Sequence, residues 1–199
     1  MKLYLIIIGV AMTVIAAVNI ALETAAWYYV VLAVVWCTVL QIVLDVIIAT
    51  AIKMTPDRWY GVDNSLFHVF DIEKKLYKKL KVRLWKDKVL ELGGIGGFSK
   101  KTLKEPGSPE YIEKFIIECN KGVVTHRLIY PIGFLAMLTV SGKSKLTIAI
   151  PVAIVNVFLN VLPTMVLRYN TPKLKALLER LKRKRAEAEK FIRTEEAIK

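Results

Sequence analysis

This chain is poor in the residues that bind metals or cross-link a fold. Among its 199 residues only two are cysteine and two are histidine. Cys37 falls in an apolar run and Cys119 in a charged segment, so they imply no disulfide framework. His68 and His126 are far apart and have no ligand spacing, which excludes a metal site of the usual kind. No phosphate-binding GxxxxGK[ST] loop is present. The nearest approach, Gly93 to Lys101, is not a dinucleotide fingerprint either, because Ser99 stands where a third glycine belongs and no βαβ pattern surrounds it. No internal repeat is evident. Acidic residues are scarce, 17 against 30 basic ones, giving a net charge of +13. No zinc-finger, RNA-binding or helix-turn-helix pattern accompanies that charge, so no nucleic-acid partner is expected. Anionic lipid headgroups are the expected partner.

What the chain has in quantity is apolar residues, 55% of the total. A bilayer span needs about 20 of them in a row. Four stretches qualify, at 3–22, 26–52, 123–140 and 144–168. The predicted class is an all-α integral membrane protein: one four-span domain, with a cytoplasmic insertion at 53–122 and a basic helical tail at 171–199. Leu3–Leu22 carries only Lys2 ahead of it and no small-x-small cleavage site, so it reads as a retained span, not a signal peptide. Segment 53–122 holds 15 Lys and Arg and the tail 10, whereas the two short turns hold none and two. The positive-inside rule then puts the insertion and both termini on the cytoplasmic side of the cell membrane.

Asp71–Lys86 is amphipathic, with Ile72, Leu76, Leu80 and Leu84 in one row, lysines around them and Trp85 at the edge. This pattern predicts a helix lying in the inner-leaflet interface. Ser108-Pro109 predicts a capped helix start, with serine at the N-cap and proline at the first helical position. Pro131 and Gly133 predict a kink in the third span, and Pro163 a kink in the fourth that frees backbone carbonyls.

Polar residues inside spans are costly and usually face a bundle interior. Asn156, Asn160, Thr164 and Arg168 recur every four residues and so line one helix face. Gln41 and Asp45 do the same in the second span. Asp45 is a candidate functional carboxylate, or else a structural tether to Arg168 or Arg127, or a partner in a helix–helix hydrogen bond in its protonated form. His126 starts the third span and Arg168 ends the fourth, so both are predicted at the cytoplasmic face. Glu118 lies eight residues before His126, on roughly the same helix face. A histidine beside a carboxylate can serve as a general base. Arginine and asparagine can hold a phosphate, a carboxylate or an oxyanion. The glycine-rich segment with Lys100 and Lys101 reads as a flexible turn that can also cradle phosphate.

Several segments carry a resemblance. They are Thr55-Pro56-Asp57-Arg58-Trp59-Tyr60, Phe70-Asp71-Ile72-Glu73-Lys74, Val82 to Lys88, Gly93 to Lys101, Ile116-Ile117-Glu118 with His126, and Asn160 followed by Arg168-Tyr169-Asn170, Pro172 and Leu174. In order and spacing, from about 55 to 185, the chain resembles the glycosyl-4,4'-diaponeurosporenoate acyltransferase family, which completes staphyloxanthin-type carotenoids. It departs at Lys121-Gly122-Val123, where the family pattern has Arg-Ala-Glu, at Arg127, where it has Trp, and at Leu167 and Thr171, where it has Gln and Arg.

The resemblance implies transfer of a fatty acyl group, from a donor such as an acyl thioester, to a hydroxyl of a glycosylated terpenoid or other lipid, with no resident cofactor. On this reading His126 is the base and Glu118 orients it. Arg168, Tyr169, Asn170, Asn160 and Asp45 contact substrate, and Lys100, Lys101 and Lys121 meet donor phosphates. The lost second carboxylate points to an alternative, a lipid- or partner-binding four-helix membrane protein that performs no chemistry.

Overall fold

The computed structural model describes residues 2–89 and 103–198. Every regular element among them is helical. The long helices are α1 (Lys2–Ala21), α2 (Trp27–Lys53), α5 (Pro109–Ile132) and α6 (Ile150–Ile198). Two short ones, α3 (Asp71–Lys79) and α4 (Val82–Trp85), lie between α2 and α5. Four helical stretches, Tyr4–Ala21, Trp27–Lys53, Pro109–Thr139 and Lys145–Thr194, are long and apolar enough to cross a membrane. The chain has the architecture of a multi-pass membrane protein.

Contacts divide the chain into two compact units, one of residues 1–55 and 122–164, the other of 56–121 and 165–199. In the first, the core is built from small and β-branched residues: Val30, Ala33, Val34 and Cys37 of α2, Ala136 and Val140, and Ile148, Ala149 and Val152. Small side chains suit helices that have only packing to hold them together in lipid. The outer faces of α1 and α2 carry exposed Leu5, Ile6, Val10, Leu32, Val39 and Ile47, as a lipid-facing surface requires.

At Pro131 and Gly133, where the sequence predicts a kink, α5 instead ends. The α-helix stops at Ile132 and tightens to a 3₁₀ segment, Gly133–Thr139. A π-turn, Lys145–Ala149, precedes α6. Its wider winding alters which carbonyls are paired along the backbone. Buried Asn19 of α1 donates Nδ2 to Thr147 O at 2.9 Å and to Ile15 O at 2.8 Å, while Thr24 Oγ1 donates to Asn19 Oδ1 at 2.9 Å. One asparagine thereby fastens α1 to the π-turn.

Where the sequence predicted a span ending at 168 and a separate tail from 171, one helix, α6, runs through both. Pro163 lies inside it, and the helix continues although proline has no N–H to give to the preceding turn.

In the second unit, Ser108 caps α5 as predicted. Its Oγ accepts from Tyr111 N at 3.1 Å, and Pro109 is the first helical residue. Ile112, Phe115, Ile116 and Cys119 of α5 are buried, as are Leu174 and Leu178 of α6. Segment 71–86 is interrupted: Lys81 takes a left-handed φ of 50°, which separates α3 from α4. Val69, Tyr77 and Val82 are buried against Trp85, Met165, Val166 and Tyr169.

Candidate functional site

The polar residues of the first unit form one hydrogen-bonded ladder. Gln41 of α2 donates Nε2 to Gly133 O at 2.5 Å. Asn156 of α6 donates Nδ2 to Gln41 Oε1 at 2.9 Å and to Asp45 Oδ1 at 3.1 Å. One turn on, Asn160 donates Nδ2 to Asn156 O at 2.9 Å and to Asn156 Oδ1 at 3.1 Å. Asn160 Oδ1 lies 2.7 Å from His126 Nδ1 on α5. Another turn on, Tyr130 donates its hydroxyl to Thr164 Oγ1 at 3.0 Å, and Thr164 Oγ1 donates to Asn160 O at 3.0 Å. The sequence reason is periodic: the four-residue spacing on α6 and the pair His126 and Tyr130 on α5 each put polar groups on one face.

The ladder fixes a tautomer. Asn160 uses its amide nitrogen on Asn156, so its carbonyl oxygen is the acceptor toward histidine. Nδ1 of His126 therefore carries the hydrogen, and in the neutral ring the basic lone pair sits on Nε2. The part of Asn160 is to orient the imidazole.

The ladder depends on one glycine. A Cβ built on Gly133 would come within 2.7 Å of Gln41 Oε1. A side chain there would force the Gln41 amide to shift from the position in which it meets that backbone.

In the second unit, Arg168 is buried, at 4% exposure, and engaged by a carboxylate. Its Nε donates to Glu73 Oε2 at 2.6 Å and its Nη2 to Glu73 Oε1 at 2.5 Å, a bidentate pair. Nη2 also donates to His68 O at 2.8 Å. Tyr77 donates its hydroxyl to Glu73 Oε2 at 2.8 Å. The guanidinium holds the Glu73 carboxyl at about 2, far below its ordinary value. Burial, together with the neighbouring carboxylate, pushes the Tyr77 phenol up to about 12.

The remaining predicted site residues fall as follows. Asp45 meets Asn156. Lys121, buried, pairs with Asp57 Oδ1 at 2.5 Å and stands 5.6 Å from the centre of the Tyr60 ring. Tyr169 meets Tyr77 edge-on at 6.5 Å between ring centres, and the Lys173 ammonium stands 3.6 Å from the centre of its ring. Glu118 is half-buried on α5, and the side chain that meets His126 Nδ1 is Asn160. Asn170 is half-buried on α6. Lys100 and Lys101, with the glycine-rich segment, lie outside the described residues.

Sequence reasoning missed Glu73, Tyr77 and Tyr130. Glu73 sits on a lysine-rich helix and looks like a solvated charge. Its signals are its place in the segment Phe70–Lys74 that carries the resemblance and its four-residue spacing to Tyr77, an apolar ring with a hydroxyl to satisfy.

The family model described as glycosyl-4,4'-diaponeurosporenoate acyltransferase matches residues 56–180. Two curated proteins of that description, from Staphylococcus aureus strains bovine RF122 / ET3-1 and N315, are each 30% identical over 158 residues, covering 75% of this chain and 90% of the relative. The chain belongs to this family. No solved structure matches it. As a member of the acyltransferase family, it carries His126, Tyr130, Asn160, Thr164 and Arg168 within the matched stretch. Gln41 and Asp45 lie before it.

Proposed function

We propose that this protein is a membrane-bound acyltransferase that esterifies a hydroxyl of a lipid, a glycosylated terpenoid being the class its relatives' name describes, at the cytoplasmic face. The observation that carries the reading is the Asn160–His126 bond, which holds the imidazole through Nδ1. Nε2 takes the proton of the acceptor hydroxyl. The alkoxide oxygen attacks the carbonyl of an acyl thioester, and a tetrahedral oxyanion forms. Its collapse breaks the carbon–sulfur bond, and the departing thiolate takes the proton back from the imidazolium. A positioned base of this kind is worth about 10²–10⁴ in rate.

An apolar crevice beside Gln41 and Asn156, lined by Met12, Ile15, Ile42, Val155 and Leu159, favours a substrate with a hydrocarbon part. Asp45 steadies Asn156 and through it Asn160. In the second unit, Arg168, with Tyr169 and Asn170, is assigned to an anionic group of the donor, and Lys100, Lys101 and Lys121 to the donor's phosphates.

The alternative, a lipid-binding bundle without chemistry, draws on the closure of the ladder, whose amides satisfy one another. One experiment separates the two: mass spectrometry of membrane lipids from cells expressing the wild type or His126→Ala. A lipid that gains one acyl-chain mass only with the wild type supports transfer and names the acceptor. Acylation that persists in His126→Ala would overturn the role of the histidine. Co-purified lipid without any acylated product, in a host that makes the acceptor, would favour the binding reading.

A further inference from the structure

The row of apolar residues on segment 71–84 is not what packs this segment onto its neighbours. The buried side chains are Val69, Tyr77 and Val82. Ile72 is 81% exposed and Leu84 72%, and Leu76 and Leu80 are also exposed. The same surface continues into the non-helical stretch before α3, where Leu66 is 76% exposed and Phe70 and Trp59 are open as well. Seven large apolar side chains in 26 residues, all in one unit, are more than scattered surface hydrophobes.

Charge says what covers them. Residues 71–88 carry eight basic and three acidic side chains. Each acid already has a partner: Glu73 is held by Arg168, Asp71 by Lys74 and Asp87 by Lys86. Lys75, Lys78, Lys79, Lys81, Arg83 and Lys88 are exposed and have no carboxylate partner among the described residues. A surface that is apolar in its middle, basic throughout and edged by tryptophan matches an anionic bilayer interface, where apolar groups enter the acyl boundary and lysine stems reach back to phosphates.

We propose that residues 59–84 form a second membrane contact, separate from the spans, that seats Ile72, Leu84, Leu66 and Phe70 about 5–10 Å into the acyl boundary of an anionic leaflet. This gives α3 and α4 a function that the polar ladder and the Arg168 pair do not require.

The test uses the full chain in lipid nanodiscs of phosphatidylcholine, with or without phosphatidylglycerol. Nitroxide labels are placed at Ile72→Cys and Leu84→Cys, and at Glu187→Cys on the exposed tail as a reference. The native Cys37 and Cys119 are buried. With phosphatidylglycerol, the ratio of oxygen to nickel-chelate collision at 72 and 84 is expected to exceed that at 187 several-fold. Charge reversal at Lys75, Lys78 and Lys79 is expected to lower the ratio toward the reference without changing the spectrum at 187. Water-like ratios at both 72 and 84 overturn the proposal. So does shielding from both reagents that persists in detergent, which would assign the surface to a protein partner. Neither readout involves acyl transfer, so failure here leaves the enzymatic reading standing.

Discussion

Asn160 of α6 accepts a hydrogen bond from Nδ1 of His126 on α5 at 2.7 Å, while its own amide nitrogen is committed to Asn156. A neutral amide thus occupies the position that a carboxylate holds in a charge-paired histidine. It fixes the ring and its tautomer without adding a negative charge inside a span, where an unpaired charge is costly.

Replacing Asn160 by Leu keeps much of the volume and removes the acceptor. The ring then loses both its orientation and its preferred tautomer. Acyl transfer by Asn160→Leu is expected to fall by about 10²-fold or more, with KM for the lipid acceptor little changed, as measured by product formation in proteoliposomes. An unchanged kcat would exclude the orienting role.

A side chain at Gly133 is predicted to disturb the ladder through Gln41, whose amide has to shift to make room. Gly133→Ala brings a Cβ to 2.7 Å from Gln41 Oε1, an atom that also accepts from Asn156. Overpacking of this sort costs about 1–3 kcal/mol, read as a lower midpoint of thermal unfolding in detergent. Adding Gln41→Ala removes the atom that clashes, so the double variant should be more stable than the two separate losses predict.

The Arg168–Glu73 pair should be stability-critical. Glu73 is only 24% exposed at its side chain and Arg168 4%. Removing one partner of a buried pair costs about 3–5 kcal/mol, because the other charge is left uncompensated. Glu73→Gln should therefore destabilise more than Asp71→Asn on the same helix, whose bond to Lys74 is exposed. Urea or guanidinium titration of both variants checks the order.

The same pair predicts an acid-sensitive step. Glu73 titrates at about 2 when folded against 4.5 ordinarily. The unfolded chain therefore binds the proton first as pH falls. The contribution of the pair is complete above about 4.5 and is lost progressively as pH drops through about 2. Stability of the wild type should decline across that window, whereas Glu73→Gln, already without the ionised carboxylate, should show a flatter profile. Parallel slopes in the two proteins would remove Glu73 as the responsible group.

The sequence by itself determined the class of the molecule. Apolar run length predicted four spans, and four helical stretches are long and apolar enough to cross a membrane, because hydropathy is a property of each segment alone. The four-residue period likewise put Asn160, Thr164 and Arg168 on a face that is buried. Ser108-Pro109 announced the start of α5, since capping uses only neighbouring residues.

What only the tertiary structure decided is which groups answer which. Asp45 meets Asn156 in a helix–helix hydrogen bond, across 111 positions of sequence, and not an arginine, a choice its own helix leaves open. Arg168 is answered by Glu73, 95 positions earlier, an acid that local context disguises as surface charge. The apolar row of α3 is the open face, because Tyr77 satisfies its hydroxyl on Glu73 and takes the buried position. A pattern along the chain fixes the face on which a side chain stands. Its partner comes from another helix, and that choice depends on packing and on the balance of buried donors and acceptors, which no local window contains.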